Sequence, residues 1–224
     1  MSNKPNGIFV LPAVLALGAM VAGMPAAAAT LELTGVSGNT YDGDAAAPYY
    51  ISVNGEPALP MMCDDALTEI GIGHTWTATG YALTAANLVD LKFASEGTAS
   101  QVLDDYELAA YIESGVMSGT INAGDGNAAV WSLFDHAFNT SVDHNSIENI
   151  LATAQSAVNS GTLNFSGITI YTPNPLKASQ EFIYGTVSFN TTPKFNTPEP
   201  ATLAMLGGGL VLLAWIGRRR RSRV

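Results

Sequence analysis

The stretch PYYISVNG, residues 48–55, carries the pattern that decides the fold. Alternate side chains in this stretch fall on one face of an extended strand, namely Tyr49, Ile51 and Val53. The dipeptide Asn54-Gly55 then favours a type I′ turn, whose twist suits two antiparallel strands. The stretch therefore predicts a β-strand that ends in a hairpin turn.

Strand patterns recur on both sides of the middle of the chain. In HTWTATG, residues 74–80, threonines alternate with Trp76 and Ala78, which predicts another strand. The segments NFSGITIYTP and QEFIYGTVSF, residues 164–173 and 180–189, return to the same pattern. Strands are therefore predicted both early and late in the chain.

The middle of the chain has helical periodicity instead. Four segments predict helices, at residues 84–97, 100–115, 126–138 and 145–161. In the third segment, Trp131 and Phe134 recur at helical spacing and are predicted to be buried. In the fourth, Asn145 and Glu148 form a predicted capping box, and Gly161 is a suitable stop.

The order of strands, helices and strands predicts an α+β domain. We expect a β-sandwich or barrel-like sheet with an inserted helical unit, because strands before and after the helices must pair with one another. Trp131 and Phe134 are expected where the helical unit meets the sheet.

The N-terminal residues 1–29 have the three parts of a secretory signal peptide. Lys4 precedes an apolar run from Ile8 to Val21, and Ala27 and Ala29 fit the small-x-small requirement of signal peptidase. A short N-terminal membrane anchor is the alternative, but the apolar run is too short to span a bilayer. The pattern therefore predicts export and removal of this segment.

The C-terminal end predicts a membrane-spanning helix. Residues 201–217 are uncharged and largely apolar, and a basic tail follows at 218–224. Arginines are retained on the cytoplasmic side of a membrane, so they would stop the helix there. The apolar run is short, and its three consecutive glycines at 207–209 weaken it as an isolated helix, which suits a temporary anchor.

A sorting motif is indicated by three features that occur in order. Pro198-Glu199-Pro200 precede the apolar run, and the basic tail contains the arginine cluster Arg218, Arg219, Arg220 and Arg221. This arrangement resembles the PEP-CTERM sorting signal of Gram-negative bacteria that make exopolysaccharide. The resemblance implies recognition and cutting by an exosortase, a transient inner-membrane anchor, and release to the cell surface or extracellular matrix. The alternative is a membrane anchor that is never cut.

The exported domain, predicted at residues 30–190 and followed by a linker with the PEP motif at 191–200, is strongly acidic. Between residues 30 and 197, three lysines oppose 18 acidic residues, a formal charge of −15. Such a surface repels nucleic acid and anionic lipid, so nucleic-acid binding is excluded. No cofactor, metal site or catalytic residue is predicted.

Cys63, in PMMCDD at residues 60–65, is the only cysteine in the chain. Burial beside Asp64 and Asp65 would disfavour its thiolate and keep it unreactive. A small buried apolar role is the simplest interpretation of a free cysteine.

The cysteine strand, the helical middle, the helix opening AVWSLFD and the closing strands are similar to PEP-CTERM proteins with a thioester-domain-like body. The resemblance implies a bond between a strand cysteine and a glutamine that opens a helix. Cys63 matches the cysteine, and the glutamine position falls on Asn127, with Ala129 to Trp131 matching the rest of the helix motif. Asparagine is one methylene shorter, by about 1.5 Å, so a degenerate pair is expected. An N-cap at Asn127 is the alternative.

These features predict an exported structural or interaction protein of a surface layer or biofilm matrix, and not an enzyme. Its predicted partners are signal peptidase, exosortase, and exopolysaccharide or surface proteins. The alternative function is a covalent adhesin that uses an internal thioester at Cys63. An enzyme acting on matrix polysaccharide is a third possibility, which would require paired carboxylates in a cleft.

Overall fold

The computed structural model describes residues 27–135, 138 and 143–190. The predicted sorting motif, transmembrane helix and basic tail, and most of the signal peptide, lie outside these residues. The described residues contain ten strands: β1 Ala27–Val36, β2 Thr40–Tyr41, β3 Asp44–Ala45, β4 Tyr49–Val53, β5 Leu59–Cys63, β6 Thr75–Ala82, β7 Leu163–Asn164, β8 Thr169–Pro173, β9 Phe182–Tyr184 and β10 Ser188–Phe189. The helices are α1 Ala99–Met117, α2 Ala123–Phe134 and α3 His144–Asn159, with a short 3₁₀ helix at Leu88–Asp90.

Six strands close into an antiparallel barrel in the order β1-β4-β5-β9-β8-β6. The strands that precede the helices pair with those that follow them, since β5 pairs with β9 and β6 pairs with β8. The predicted mixture of helix and sheet is therefore confirmed, and the main sheet is a barrel. Closure leaves the six-stranded barrel without a free edge, which protects its strands from edge-to-edge aggregation; the pairs β2-β3 and β7-β10 form two small separate sheets in the described residues.

The β4–β5 hairpin contains the predicted turn. Asn54 and Gly55 both have positive φ, 55° and 79°, as a type I′ turn requires. The backbone N–H of Glu56 donates to the carbonyl of Val53 at 3.0 Å and closes the turn. The hairpin brings Tyr49 opposite Met61 and sets the register of the cysteine strand.

Strand β1 begins before the predicted signal-peptide boundary. Ala27 pairs with Gly80 and Ala29 with Ala78 in the antiparallel ladder with β6. Cleavage after Ala29 would remove residues 27–29 from β1 and leave Thr30 as the first residue of the strand. The boundary itself stays a prediction.

The prediction of a helix over residues 84–97 is wrong. This segment forms turns and a single 3₁₀ turn at Leu88–Asp90. Leu88 and Leu91, three residues apart, are both buried. The short 3₁₀ turn is therefore enough to bury the apolar residues that suggested a longer helix. The backbone N–H of Lys92 donates to the Glu181 side chain at 3.0 Å instead of to a helical carbonyl.

The predicted capping box at Asn145 and Glu148 is also wrong. Helix α3 begins at His144, its N-cap Asp143 makes no side-chain capping bond, and Glu148 contacts His144 at 3.0 Å on the surface. A capping box is found at α1 instead, between Thr98 and Gln101. Gly161 does follow the end of α3, with φ of 63°.

The predicted core position of α2 is confirmed. Trp131 and Phe134 are 3% and 5% exposed. The ring of Phe134 lies 4.7 Å from that of Tyr106 on α1 and 4.9 Å from that of Phe93, between centroids. These contacts join α2 to α1 and to the loop before it.

Within residues 27–135, 138 and 143–190, no helix combines the length and the apolar character needed to cross a membrane.

Candidate functional site

Cys63 is the last residue of β5 and is fully buried. It pairs with Phe182 of β9, where a strand that precedes the helices meets one that follows them. Met61 and Met62 are also fully buried, so both faces of β5 are covered. The predicted burial of the thiol is therefore confirmed.

The thiol makes two contacts with the backbone of Asp65. Its S–H donates to the Asp65 carbonyl at 3.2 Å, and the Asp65 N–H donates to the sulfur at 3.3 Å. Burial raises the pKa of Cys63 well above its usual range, and a carboxylate at Asp64 would raise it further. The Asp65 N–H and the Trp131 indole act in the opposite direction, because they favour the thiolate. In the resting site the thiol is protonated at neutral pH.

Asn127 lies beside Cys63, as the resemblance implied, but it contacts the backbone and not the sulfur. Its Nδ2 donates to the Cys63 carbonyl at 2.8 Å, and its Oδ1 accepts from the Ala47 N–H at 2.8 Å. The alternative that Asn127 caps the helix is wrong, because Asn122 is the N-cap and accepts from the Asp125 N–H. Asn127 therefore ties α2 to the end of β5 and to the segment before β4.

Glycine allows the first turns of α2 to approach their neighbours closely. A Cβ at Gly126 would lie 2.5 Å from Cγ2 of Val116 on α1, and one at Gly124 would lie 2.6 Å from the Thr40 carbonyl oxygen. Any larger residue would push α2 away. Gly126 therefore helps Asn127 to reach the backbone of β5.

Gln180, which none of the sequence motifs indicates, is a second buried carboxamide near the thiol. It is 8% exposed and lies two residues before Phe182, the first residue of β9. Its Nε2 donates to the Asp65 carbonyl at 3.2 Å, the same oxygen that accepts the Cys63 S–H. Its Oε1 is buried and has no donor among the described residues. The thiol and this carboxamide are therefore neighbours.

The loops that carry these groups are joined by one buried ion pair. Lys92 Nζ contacts Asp65 Oδ2, and it also donates to the Ser179 carbonyl at 2.8 Å. The two side chains are 12% and 5% exposed. Asp65 Oδ1 accepts from the Leu67 and Thr68 N–H groups at 3.2 Å, which fixes the turn after β5. Lys92 thus holds the segment after Cys63 against the segment before β9.

Two further carboxyl groups are fully buried at the same place, Asp64 and Glu181. Glu181 accepts hydrogen bonds from the hydroxyls of Tyr106 and Thr172 and from the Lys92 N–H. Neither oxygen of Asp64 has a donor within the described part of the chain. Burial raises the pKa of Asp64 well above its usual range, and the charge of Glu181 adds to this. Burial also raises the pKa of Glu181, but its hydrogen bonds act in the opposite direction, so Asp64 is the carboxyl group of the pair that holds a proton more tightly.

This arrangement has the two reactants of acyl-group chemistry. Cys63 supplies a nucleophilic sulfur, and Gln180 supplies an amide carbon whose oxygen is unpartnered in the described structure. Asn127 is less suited to this chemistry, since both ends of its amide are already held by backbone groups.

The family models match the chain at its C-terminus. Residues 196–221 match the PEP-CTERM protein-sorting motif. The match includes Pro198, Glu199 and Pro200 and the arginines at 218–221, so the sequence-based recognition of this signal is confirmed. The motif marks an exported protein that is targeted to an exosortase and is held by a transient membrane anchor before it reaches the surface.

No curated protein matches the chain. Among solved structures, the chain is similar to the N-terminal domain of the Streptococcus pyogenes pilus tip adhesin Cpa. The identity is 11% and the TM-score 0.45, over 72% of this chain and 93% of that one. At this distance no property of the adhesin transfers to this chain.

Proposed function

We propose that the exported domain acts at the cell surface or in the extracellular matrix, where it attaches covalently to an amine-bearing partner. The attachment uses an internal thioester between Cys63 and Gln180. One observation carries the proposal: the thiol and the carboxamide donate to the same Asp65 oxygen, each at 3.2 Å, inside a buried site.

The bond changes balance without any further reactant. The Cys63 sulfur attacks Cδ of Gln180, the C–N bond breaks, and the thiol proton leaves with the amide nitrogen as ammonia. A partner amine then attacks the thioester carbonyl, forms an amide with residue 180, and returns the proton to sulfur. Neither step changes the net charge of the site, so no additional buried charge remains after either step.

The surroundings of the thiol are suited to both steps. While the thiol is neutral, the Trp131 indole N–H makes no hydrogen bond within the described residues, but it lies close enough to Cys63 to stabilise a thiolate there. Exclusion of water protects a thioester from hydrolysis, and Cys63 is fully buried. Partners of suitable chemistry are lysine side chains of surface proteins and amino sugars of an exopolysaccharide.

A non-covalent structural or interaction protein is the second candidate. The observation that favours it is the complete bonding of the resting thiol, which donates to one backbone group of Asp65 and accepts from another. Its raised pKa makes it a poor nucleophile in that state. In this case Cys63 contributes only packing at the end of β5.

We further propose that the domain is not an enzyme acting on polysaccharide. Glycoside hydrolysis requires two carboxyl groups that flank a bound sugar. Asp64 and Glu181 are paired carboxyl groups, but their backbones are hydrogen-bonded directly to each other at 3.4 Å, and Glu181 is already bonded by Tyr106, Thr172 and Lys92. They therefore adjoin each other and do not flank a space for a sugar.

An intact mass of the protein recovered from culture medium tests the proposal. The covalent mechanism predicts the loss of one ammonia and uptake of methylamine at residue 180. Cys63→Ala and Gln180→Ala should each abolish both signals, whereas Gln155→Ala on the surface of α3 should retain them. An unmodified mass with no methylamine uptake would establish the non-covalent candidate, and uptake at Asn127 would assign the acyl group to the residue predicted from the sequence.

A further inference from the structure

A buried carboxyl pair lies one residue beyond the thiol and the carboxamide. Asp64 follows Cys63 at the end of β5, and Glu181 follows Gln180 before β9. The Asp64 N–H donates to the Glu181 carbonyl at 3.4 Å, so the two backbones are joined at this point. Any force between the two carboxyl groups therefore acts on the segments that carry Cys63 and Gln180.

The two carboxyl groups have unequal surroundings. Glu181 has three donors, from Tyr106, Thr172 and Lys92, whereas Asp64 has none in the described residues. A buried carboxylate without a donor is costly, so Asp64 retains its proton. A protonated Asp64 is able to donate to Glu181, which carries the charge.

We propose that Asp64 and Glu181 share one proton and thereby position Cys63 and Gln180 for thioester formation, an inference that rests on the proposed thioester. With one proton the carboxyl groups attract each other, and they hold the ends of β5 and β9 together. With none they carry two buried negative charges, which repel each other and separate the strand ends. Asp64 and Glu181 are thus positioning residues.

The other titratable groups around Asp64 and Glu181 do not neutralise the charge that the pair would carry without a proton. The charge of Lys92 favours ionised Asp64, but Lys92 Nζ is already paired with Asp65, whose charge acts against ionisation. Tyr106 of α1 is occupied as a donor to Glu181, and burial raises its pKa well above its usual range. Cys63, from its own strand, is neutral in the resting site.

Refolding at different pH values tests this role. The full chain is recovered from inclusion bodies in urea, where Gln180 retains its amide, and is refolded between about pH 6 and about pH 10, while the loss of ammonia is followed by mass spectrometry. In the wild type, the rate should rise as the thiol ionises and fall when the pair loses its proton. Asp64→Asn keeps a permanent donor to Glu181, so its rate should lack the fall and exceed the wild-type rate at least about tenfold at the highest pH.

Glu181→Gln provides a second variant, since its amide donates to Asp64 and replaces the shared proton. It should also lack the fall, and Asp90→Asn, on the exposed 3₁₀ turn, should retain the wild-type profile. Circular dichroism is used to check that each variant is folded. If Asp64→Asn does not fold, the absence of the fall in rate is tested with Glu181→Gln alone. Superimposed wild-type and variant profiles, or a folded Asp64→Asn without ammonia loss at any pH, would overturn the positioning role alone. A wild type that never loses ammonia would overturn the thioester as well.

Discussion

Two buried carboxamides lie next to Cys63, and they differ in how completely they are bonded. Asn127 is held at both ends of its amide, by the Ala47 N–H and the Cys63 carbonyl, each at 2.8 Å. Gln180 is held only through its nitrogen, at 3.2 Å, and its oxygen is unpartnered in the described structure. The first amide therefore contributes to stability through both of its ends, whereas the second leaves a buried oxygen without a partner, which costs free energy. The proposed thioester would use this second amide.

Asn127→Ala should have the largest effect on stability. It leaves the Ala47 N–H and the Cys63 carbonyl buried without partners and opens a cavity between α2 and the barrel. We expect a loss of about 3 to 5 kcal/mol in the free energy of unfolding, measured in urea. A loss below about 1 kcal/mol would show that Asn127 is not the tie between helix and strand.

Glu113 is another half-bonded buried group, and it should make stability depend on pH. It is fully buried on α1, its Oε1 is unpartnered among the described residues, and burial raises its pKa to about 8. Because the folded pKa is raised, its favourable contribution is complete below the unfolded pKa of about 4.5 and is lost as the pH rises through about 8.

Glu113→Gln should remove this dependence. Between about pH 4 and about pH 9, the wild type should lose about 2 to 4 kcal/mol more of its unfolding free energy than the variant does. Exposed Glu69→Gln is the matched control and should keep the wild-type slope. Parallel curves for wild type and Glu113→Gln would show that Glu113 is ionised in the folded protein without cost.

Gly126→Ala should weaken the hydrogen bonds of Asn127 and leave that of Gln180 unchanged. The added Cβ meets Val116 at 2.5 Å, so α2 must shift and carry Asn127 with it. We expect a destabilisation of about 1 to 3 kcal/mol. Combined with Asn127→Ala the effects should be less than additive, whereas with Gln180→Ala they should add. Additivity in both combinations would show that Gly126 does not help to position Asn127.

Gln180→Ala should have the smallest effect on a chain that lacks a crosslink. It removes one hydrogen bond and one buried group that already lacked a partner, so we expect a loss of about 1 to 2 kcal/mol in the Cys63→Ala background. In the wild-type background the loss should be larger if the crosslink forms, because a covalent tie between β5 and β9 restricts the unfolded chain. Equal losses in both backgrounds would argue against the crosslink.

The sequence predicted those parts of the fold that depend on local patterns. The turn at Asn54-Gly55, the strand around Trp76 and the buried face of α2 follow from alternation, helical spacing and turn chemistry. The segment at 84–97 was misread, since a backbone N–H there is taken by a side chain 89 residues away, at Glu181. Local periodicity has no information about such a contact.

The candidate site was only half predictable for the same reason. Cys63 stands out as the sole cysteine, and Asn127 was assigned through a resemblance in the helix motif. Gln180 stands at the start of QEFIYG, next to a predicted strand, but only the pairing of β5 with β9 shows that this strand meets the cysteine. Gln180 is visible in the sequence, but its proximity to Cys63 follows only from the sheet topology.

The pairing of β5 with β9 also sets an order of events during export. Cys63 pairs with Phe182, and the whole helical insert lies between them in the chain. A polypeptide that crosses the membrane from its N-terminus delivers the thiol long before β9. Such distant pairing is slow to form, and the thiol stays uncovered in an oxidising compartment until the last barrel strand has emerged. Because the chain has no second cysteine, the thiol cannot form an intramolecular disulfide while it is exposed. Closure of the barrel then buries the thiol.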